Sequence, residues 1–322
     1  MSARHAHIVA AVLLSAAAGN AVAQAWPTKP IRLVVGFTAG GATDATARMV
    51  AQQLGPMLGQ NVTVENRTGA SGAIATERVA TSPPDGYNLL MMTAADALLP
   101  SLRQKLPYNL EKDFATVSLV VIAPFVLVTH PSVPAKSAKE LISLAKSQPG
   151  KMNYGSFGAG SSAHLMGELF KQMGGLDIVH VPYKGAAESS VAVVSGQIDM
   201  SFVAVGTARP LIDAGRMKAI GMTTARRSSL LPGVPTLDEG GLPGYDRTGW
   251  FGVVAPAATP RDIINRLNGA IAKAVGTAEM KKLLDGHGLE PQGNSPEEFA
   301  AYLKRELDRN AKLVSAIGLK PE

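Results

Sequence analysis

The chain has 322 residues, a formal charge of +6, 46% hydrophobic and 17% charged residues, 5% aromatics and no cysteine. That balance argues against a disordered chain and gives length enough for two lobes with separate cores, while the missing cysteines exclude disulfides, thiol catalysis, cysteine-bound metals and a lipidated cysteine anchor. Basic residues are dispersed, Arg226-Arg227 and Lys281-Lys282 being the longest runs, so the charge reads as solvated surface rather than a nucleic-acid face.

Arg4, His5 and His7 lead into the apolar run Ile8 to Leu14 and the small residues Ala21-Val22-Ala23-Gln24-Ala25. A basic start, a short apolar core and small residues at the cleavage positions describe a secretory signal peptide over residues 1–25, cut after Ala23 or Ala25. No later run approaches the roughly 20 apolar residues of a membrane helix, which points to an exported chain that does not span the bilayer. Ile31 to Val35 then reads as a buried strand feeding the turn Phe37-Thr38-Ala39-Gly40-Gly41. Ala47, Val50, Ala51, Leu54 and Leu58 recur at helical spacing, and Thr43 or Asp44 is placed to cap that helix. First-turn amides and aligned peptide dipoles make such a turn an anion seat, and glycine lets a ligand approach the main chain. An ordinary connection is the alternative, because the same turn recurs throughout α/β folds.

Val62 to Glu65 and Tyr87 to Thr93 continue as strands around a helix through Ile74 and Val79. The alternation predicts an α/β fold with a parallel sheet. Leu119 to Thr129 is a long apolar run broken by Pro124; a proline is poorly tolerated in a central strand, so this segment is expected to cross between lobes. A helix capped by Ser137 follows, and then Ser156-Phe157-Gly158-Ala159-Gly160-Ser161 opens a second glycine-serine turn into a helix carrying Leu165, Met166, Leu169, Phe170 and Met173. Two such mouths, one per lobe, place a ligand between them at the carboxyl ends of strands. Ile178 to Pro182, Asp199 to Ala204 and Met217 to Thr223 read as further strands, Val191 to Val194 as part of a helix, and Trp250 to Pro256 as the second crossing. Two closing helices run through Ile263 and Ile271 and through Phe299 and Val314.

Trp26-Pro27, Pro30 to Val35, Gly40-Gly41, Asp44, Ala47-Arg48, Val64-Glu65-Asn66-Arg67, Pro84-Asp85-Gly86-Tyr87 and Asp113-Phe114 resemble the Bug family, the TctC-like periplasmic solute receptors of tripartite tricarboxylate transporters. Asn153 to Ser156, Gly160-Ser161, His164-Leu165, Gly167-Glu168, His180 to Gly185, Leu231-Pro232, Val234-Pro235-Thr236 and Ala255-Pro256 continue the resemblance in order. It implies a two-lobed, type II-like periplasmic binding protein with two crossover strands and its ligand in the interlobe cleft. Lobe 1 would comprise residues 26–125 and 251–322, and lobe 2 residues 126–250. The implied activity is capture of a small carboxylate (a mono-, di- or tricarboxylate, an amino acid or an aromatic acid) by lobe closure, and delivery to the transporter's membrane subunits. A monomer without cofactor or metal is expected. Where many relatives carry prolines after the Phe, this chain has Thr38-Ala39.

The expected ligand-binding residues are Phe37, Thr38, Ala39, Gly40, Gly41 and Asp44 at the first mouth, Thr93 and Ala95 at a strand end, Ser156, Phe157, Gly160, Ser161 and His164 at the second mouth, and Lys184 and Ala204 after two later strands. Some have a plainer reading: Asp44 as a helix cap, His164 as a residue packed across lobes, Lys184 as a solvated cation, Phe157 as an unselective wall. Catalysis is not indicated. Gly69-Ala70-Ser71-Gly72 lacks the nucleophile-elbow spacing, neither glycine turn continues into Gly-Lys-Ser/Thr, and the six histidines form no HExxH pattern. A receptor that presents its closed lobes to a membrane sensor is the alternative to a transport role.

Overall fold

The computed structural model describes residues 26–318; the signal peptide read at 1–25 lies outside them. β1 (Ile31–Val35), β2 (Val62–Asn66) and β3 (Asn88–Thr93) alternate with α1 (Ala42–Leu58), α2 (Ala73–Ala80) and α3 (Ala94–Leu102). β4 (Phe114–Ala123) ends at Pro124, and β5 (Phe125–Thr129) follows directly. Next come α4 (Ala138–Ser147), β6 (Asn153–Ser156), α5 (Ser162–Gly174), β7 (Val179–Pro182), α6 (Ala186–Val194), β8 (Met200–Ala204), α7 (Val205–Asp213) and β9 (Lys218–Met222). β10 (Gly249–Pro256), α8 (Arg261–Gly276), α9 (Ala278–Gly286), β11 (Glu290–Pro291) and α10 (Pro296–Ala316) close the chain.

These strands form two sheets, ordered β11-β4-β10-β3-β1-β2 and β7-β6-β8-β5-β9. The chain passes from the first to the second at Pro124, where the apolar run was expected to cross. The proline removes the ladder donor at the one residue that belongs to neither sheet. The return crossing precedes β10 rather than running along it: all of β10 lies in the first sheet, and the change of sheet falls at Arg247 and Thr248, with the Arg247 amide bonded to the Thr223 carbonyl at 2.8 Å. The expected parallel sheet is present in both lobes, with antiparallel strands added to it. β1 pairs in parallel with β2 and β3, and β6 with β7 and β8, but β10 runs antiparallel to β3 and β4, and β5 antiparallel to β8 and β9. Strands that carry the chain between lobes enter each sheet from the cleft side, against the direction of the βα units.

Each sheet is covered on both faces, as its near-continuous Val/Ile/Leu runs require. On one face of the first sheet Ile31, Leu33 and Leu89 pack against Val50, Leu54, Leu267 and Ile271 of α1 and α8. On the other, Val34, Leu90 and Trp250 meet Val79, Phe299 and Leu303 of α2 and α10. The second sheet is covered by α4 and α5 through Leu141, Met166 and Phe170, and by α6 and α7 through Val193, Val205 and Ala208. Between the lobes, Leu98, Leu313 and Val314 pack on Leu165. Among the described residues no helix is long and apolar enough to cross a membrane.

Candidate functional site

The amides at the start of α1 are positioned by a clamp on the turn before it. The N-cap is Gly41, which supplies no side-chain cap, so neither Thr43 nor Asp44 caps the helix. Asp44 instead reaches back: its carboxylate accepts from the Gly40 amide at 2.9 Å, from Arg48 Nε at 2.9 Å and from Asn66 Nδ2 at 2.9 Å. Asn66 Nδ2 also donates to the Phe37 carbonyl at 3.0 Å. The Arg48 hydrogen bond, with those from Gly40 and Asn66, holds the Asp44 carboxyl down to about 2 against the opposing effect of burial. A committed, ionised Asp44 is therefore a brace for the turn, and the Gly40 amide is occupied by it.

α3 begins without a loop. Thr93, the last residue of β3, is also its N-cap, in a capping box with Asp96: the Thr93 amide and hydroxyl each donate to Asp96 Oδ2 at 2.8 Å, and the Asp96 amide donates back to Thr93 Oγ1 at 3.4 Å. Thr76 Oγ1 adds a bond to Asp96 Oδ1 at 3.0 Å. Burial pushes the Asp96 carboxyl up, and those bonds offset part of the shift. α7 likewise starts directly at the end of β8, with Ala204 as a cap that offers no side chain. α5 is capped by Ser161, whose Oγ accepts from the His164 amide at 3.3 Å.

These four helix starts meet at one cavity of about 470 Å³. Its wall holds first-turn residues of each: Ala42 and Thr43 of α1, Ala94 and Ala95 of α3, Ser162 of α5, Gly206 and Thr207 of α7. Phe37, Phe125, Phe157, Trp250 and Phe251 supply apolar surface, and Ala123 and Gly249 mark the two crossings. Phe125 and Phe157 stack with ring centroids 6.5 Å apart. No Asp, Glu, Lys or Arg lines this wall. Partial positive charge from four sets of peptide dipoles is thus gathered around such a site. A larger groove of about 860 Å³ lies between α3 and α10, but it touches none of the expected residues. Among the described residues no His, Asp and Glu group is placed to hold a metal.

Of the expected residues, Phe37, Thr93, Ala95, Phe157 and Ala204 line the cavity. Thr38, Ala39, Gly40 and Gly41 form its exposed rim rather than its wall. Ser156, His164 and Lys184 lie elsewhere, for reasons visible in their bonds. Ser156 is fully buried; its Oγ donates to the Gly158 carbonyl at 3.1 Å and pairs with His180 Nε2 at 2.7 Å. His164 Nδ1 accepts from the Gly160 amide at 3.0 Å, and its ring ends a column in which His180 lies between its neighbours, with Tyr154 on His180 at 4.9 Å and His180 on His164 at 4.2 Å. Burial lowers both histidines, and with the adjacent His164 it takes His180 to about 4. The column props the second turn from behind. Lys184 is exposed, and its amide donates to Glu188 Oε2 at 3.2 Å. Ser161 and Gly160 serve the same turn, as the cap of α5 and as the donor to His164.

The cavity wall also holds residues outside the expected set, among them Ala42, Thr43, Ala94 and Ser162 beside expected neighbours, Thr207 and His287 at α7 and just after α9, for which the sequence shows no clear helical signal, and Trp250, which reads from sequence only as part of a crossing strand.

The matching family is described as the tripartite tricarboxylate transporter family receptor, and its model matches residues 46–319. The protein BugT of Bordetella pertussis is 34% identical over 300 residues, covering 92% of this chain and 92% of its own. Among solved structures, an R. palustris protein with adipate is 36% identical with a TM-score of 0.78, covering 92% of this chain and 100% of that one. MatC of Rhodopseudomonas palustris with bound malate is 31% identical with a TM-score of 0.73, covering 90% and 100%. With the two-lobed fold and these relatives along nearly its whole length, the chain belongs to the TctC/Bug family of periplasmic solute-binding proteins.

Proposed function

We propose that this protein captures a small carboxylate in the cavity between its lobes, holds it by main-chain amides at four helix starts, and delivers it to the membrane subunits of a tripartite tricarboxylate transporter. One observation carries the reading: the first turns of α1, α3, α5 and α7 converge on a cavity lined by no Asp, Glu, Lys or Arg. Such a wall favours an anion through oriented N–H groups and would leave a cation uncompensated. Two of the helices stand on each side of the cleft, which suits an acid with a carboxylate at either end. The aromatic walls suit the short carbon chain between them. Adipate and malate, bound by two related proteins of known structure, are acids of this kind.

The ligand-contacting set in this reading is Phe37, Ala42, Thr43, Thr93, Ala94, Ala95, Phe157, Ser162, Ala204 and Thr207. The lobes divide at Pro124 and at Arg247-Thr248, and the protein works as a monomer that binds without turnover. Thermal-shift titration against adipate, malate, succinate, citrate, glutamate, benzoate and hexanoate tests it. A melting temperature that rises with acid concentration is the expected result. Stabilisation by a neutral sugar or a cation, with none by the acids, would overturn the reading, and steady conversion of a bound acid would replace it with an enzyme.

A further inference from the structure

The loop between α9 and β11 makes an unusual contact across the cleft. Gly286, His287 and Gly288 come from the first sheet's lobe and line the cavity beside Gly206 and Thr207 of α7, which belongs to the other. The approach is backbone on backbone. A Cβ on Gly206 would sit 2.5 Å from the His287 carbonyl oxygen, and one on Gly288 would overlap the Gly206 amide. Gly288 also holds a φ of +69°, which L side chains adopt only with strain. Polar pairs flank the contact on both sides: Arg209 Nη1 with Asp285 Oδ1 at 3.7 Å, and Ser228 Oγ with Glu290 Oε1. Nothing in the packing of either lobe alone requires glycine at 206, since α7 is an ordinary helix there. Only the meeting of the lobes does.

His287 is the one imidazole among the lining residues, and it is exposed. Its imidazole is the accessible side-chain N–H source among the lining residues, because the Trp250 indole nitrogen is buried. We propose that the Gly286-His287-Gly288 turn is a clasp that docks on the start of α7 when the lobes close, and that it carries His287 over the cavity to hydrogen-bond the outer carboxylate of a dicarboxylic acid. Gly206 is the positioning residue of this clasp and His287 its specificity-determining contact. The inference rests on the carboxylate-receptor reading and assigns one end of the ligand within it.

The test measures binding of adipate, malate and hexanoate by calorimetry, and dissociation rates by tryptophan fluorescence in a Trp26→Phe background that leaves Trp250 as the reporter. Wild type is compared with Gly206→Ala, His287→Ala, His287→Gln and, as a control at an exposed position of α9, Lys281→Gln. Gly206→Ala should weaken the better-bound dicarboxylate at least tenfold, mainly through faster dissociation. With acid present, its radius of gyration in small-angle scattering should stay that of the ligand-free protein. His287→Ala should reduce the preference for the dicarboxylate over hexanoate by fivefold or more, His287→Gln should recover part of that preference, and Lys281→Gln should stay within twofold. If wild type binds none of the three acids, the carboxylate reading fails and the clasp with it. If wild type binds but Gly206→Ala and His287→Ala bind equally well, or His287→Ala weakens all acids alike, the clasp is refuted and the receptor reading stands.

Discussion

Replacing Ala42 by proline would test the amide seat with little disturbance to the fold. Ala42 is the first residue of α1, its side chain is exposed, and the preceding Gly41 is extended at φ −75° and ψ 168°. Proline fits the first helical position, where its fixed φ is already helical, and it tolerates an extended residue before it. The exchange removes one N–H from the cavity wall and sets a ring carbon in its place, while the Asp44 clamp on Gly40, Arg48 and Asn66 is untouched. A hydrogen bond to a charged acceptor contributes about 1.5–3 kcal/mol, so affinity should fall roughly 10- to 150-fold. The melting temperature without ligand should hold or rise slightly, because proline restricts the unfolded chain. Calorimetry with the acid that stabilises wild type most is the assay. A folded Ala42→Pro protein with wild-type affinity would mean that the carboxylate is not seated on the start of α1.

Other outcomes follow from the bonding around the two turns. Gly40→Ala should destabilise the protein by about 1 kcal/mol because the position holds a φ of +82°, with nothing within 4 Å of an added Cβ; affinity should change little, since the Gly40 amide is bound to Asp44. Ser161→Ala should lower stability by about 0.5–2 kcal/mol through loss of the cap on α5, read by denaturant unfolding. His180 titrates lower in the fold than its ordinary 6.5, at about 4, so the unfolded chain binds more protons between those values. Stability should fall as pH drops through that window, and His180→Gln should flatten the melting-temperature profile there. Asp44 has the opposite chemistry but the same direction: its contribution is present above its ordinary 3.8 and lost as pH falls toward about 2, and Asp44→Asn should remove that acid-limb dependence.

Much of the framework was legible because its signals are local. The spacing of Ala47, Val50, Leu54 and Leu58 gave α1, and Pro124 inside an apolar run gave the first crossing. What stayed hidden has physical reasons. α3 and α7 start at the last residue of the preceding strand, so no turn chemistry separates Thr93 from Ala94 or Ala204 from Val205. α9 buries only Met280 and Leu284, too few for a periodic pattern. These three helices lead to the lining residues Ala94, Thr207 and His287, which is why the sequence pattern does not single them out. The residues read as contacts that lie elsewhere, Ser156 and His164, looked functional because they are polar and stand beside glycines. In the fold their donors and acceptors serve the turn itself, and a one-dimensional pattern does not distinguish a polar group aimed at solvent from one already paired.

The central claim is that oriented amides in a cavity lined by no Asp, Glu, Lys or Arg hold a carboxylate. The most direct measurement compares, in one calorimetric series, the acid that stabilises the protein most with its primary amide of the same shape. The account predicts one saturable site per chain for the acid and binding at least a hundredfold weaker for the amide, because the negative charge that the helix starts favour is gone. Equal affinity for the two would contradict it.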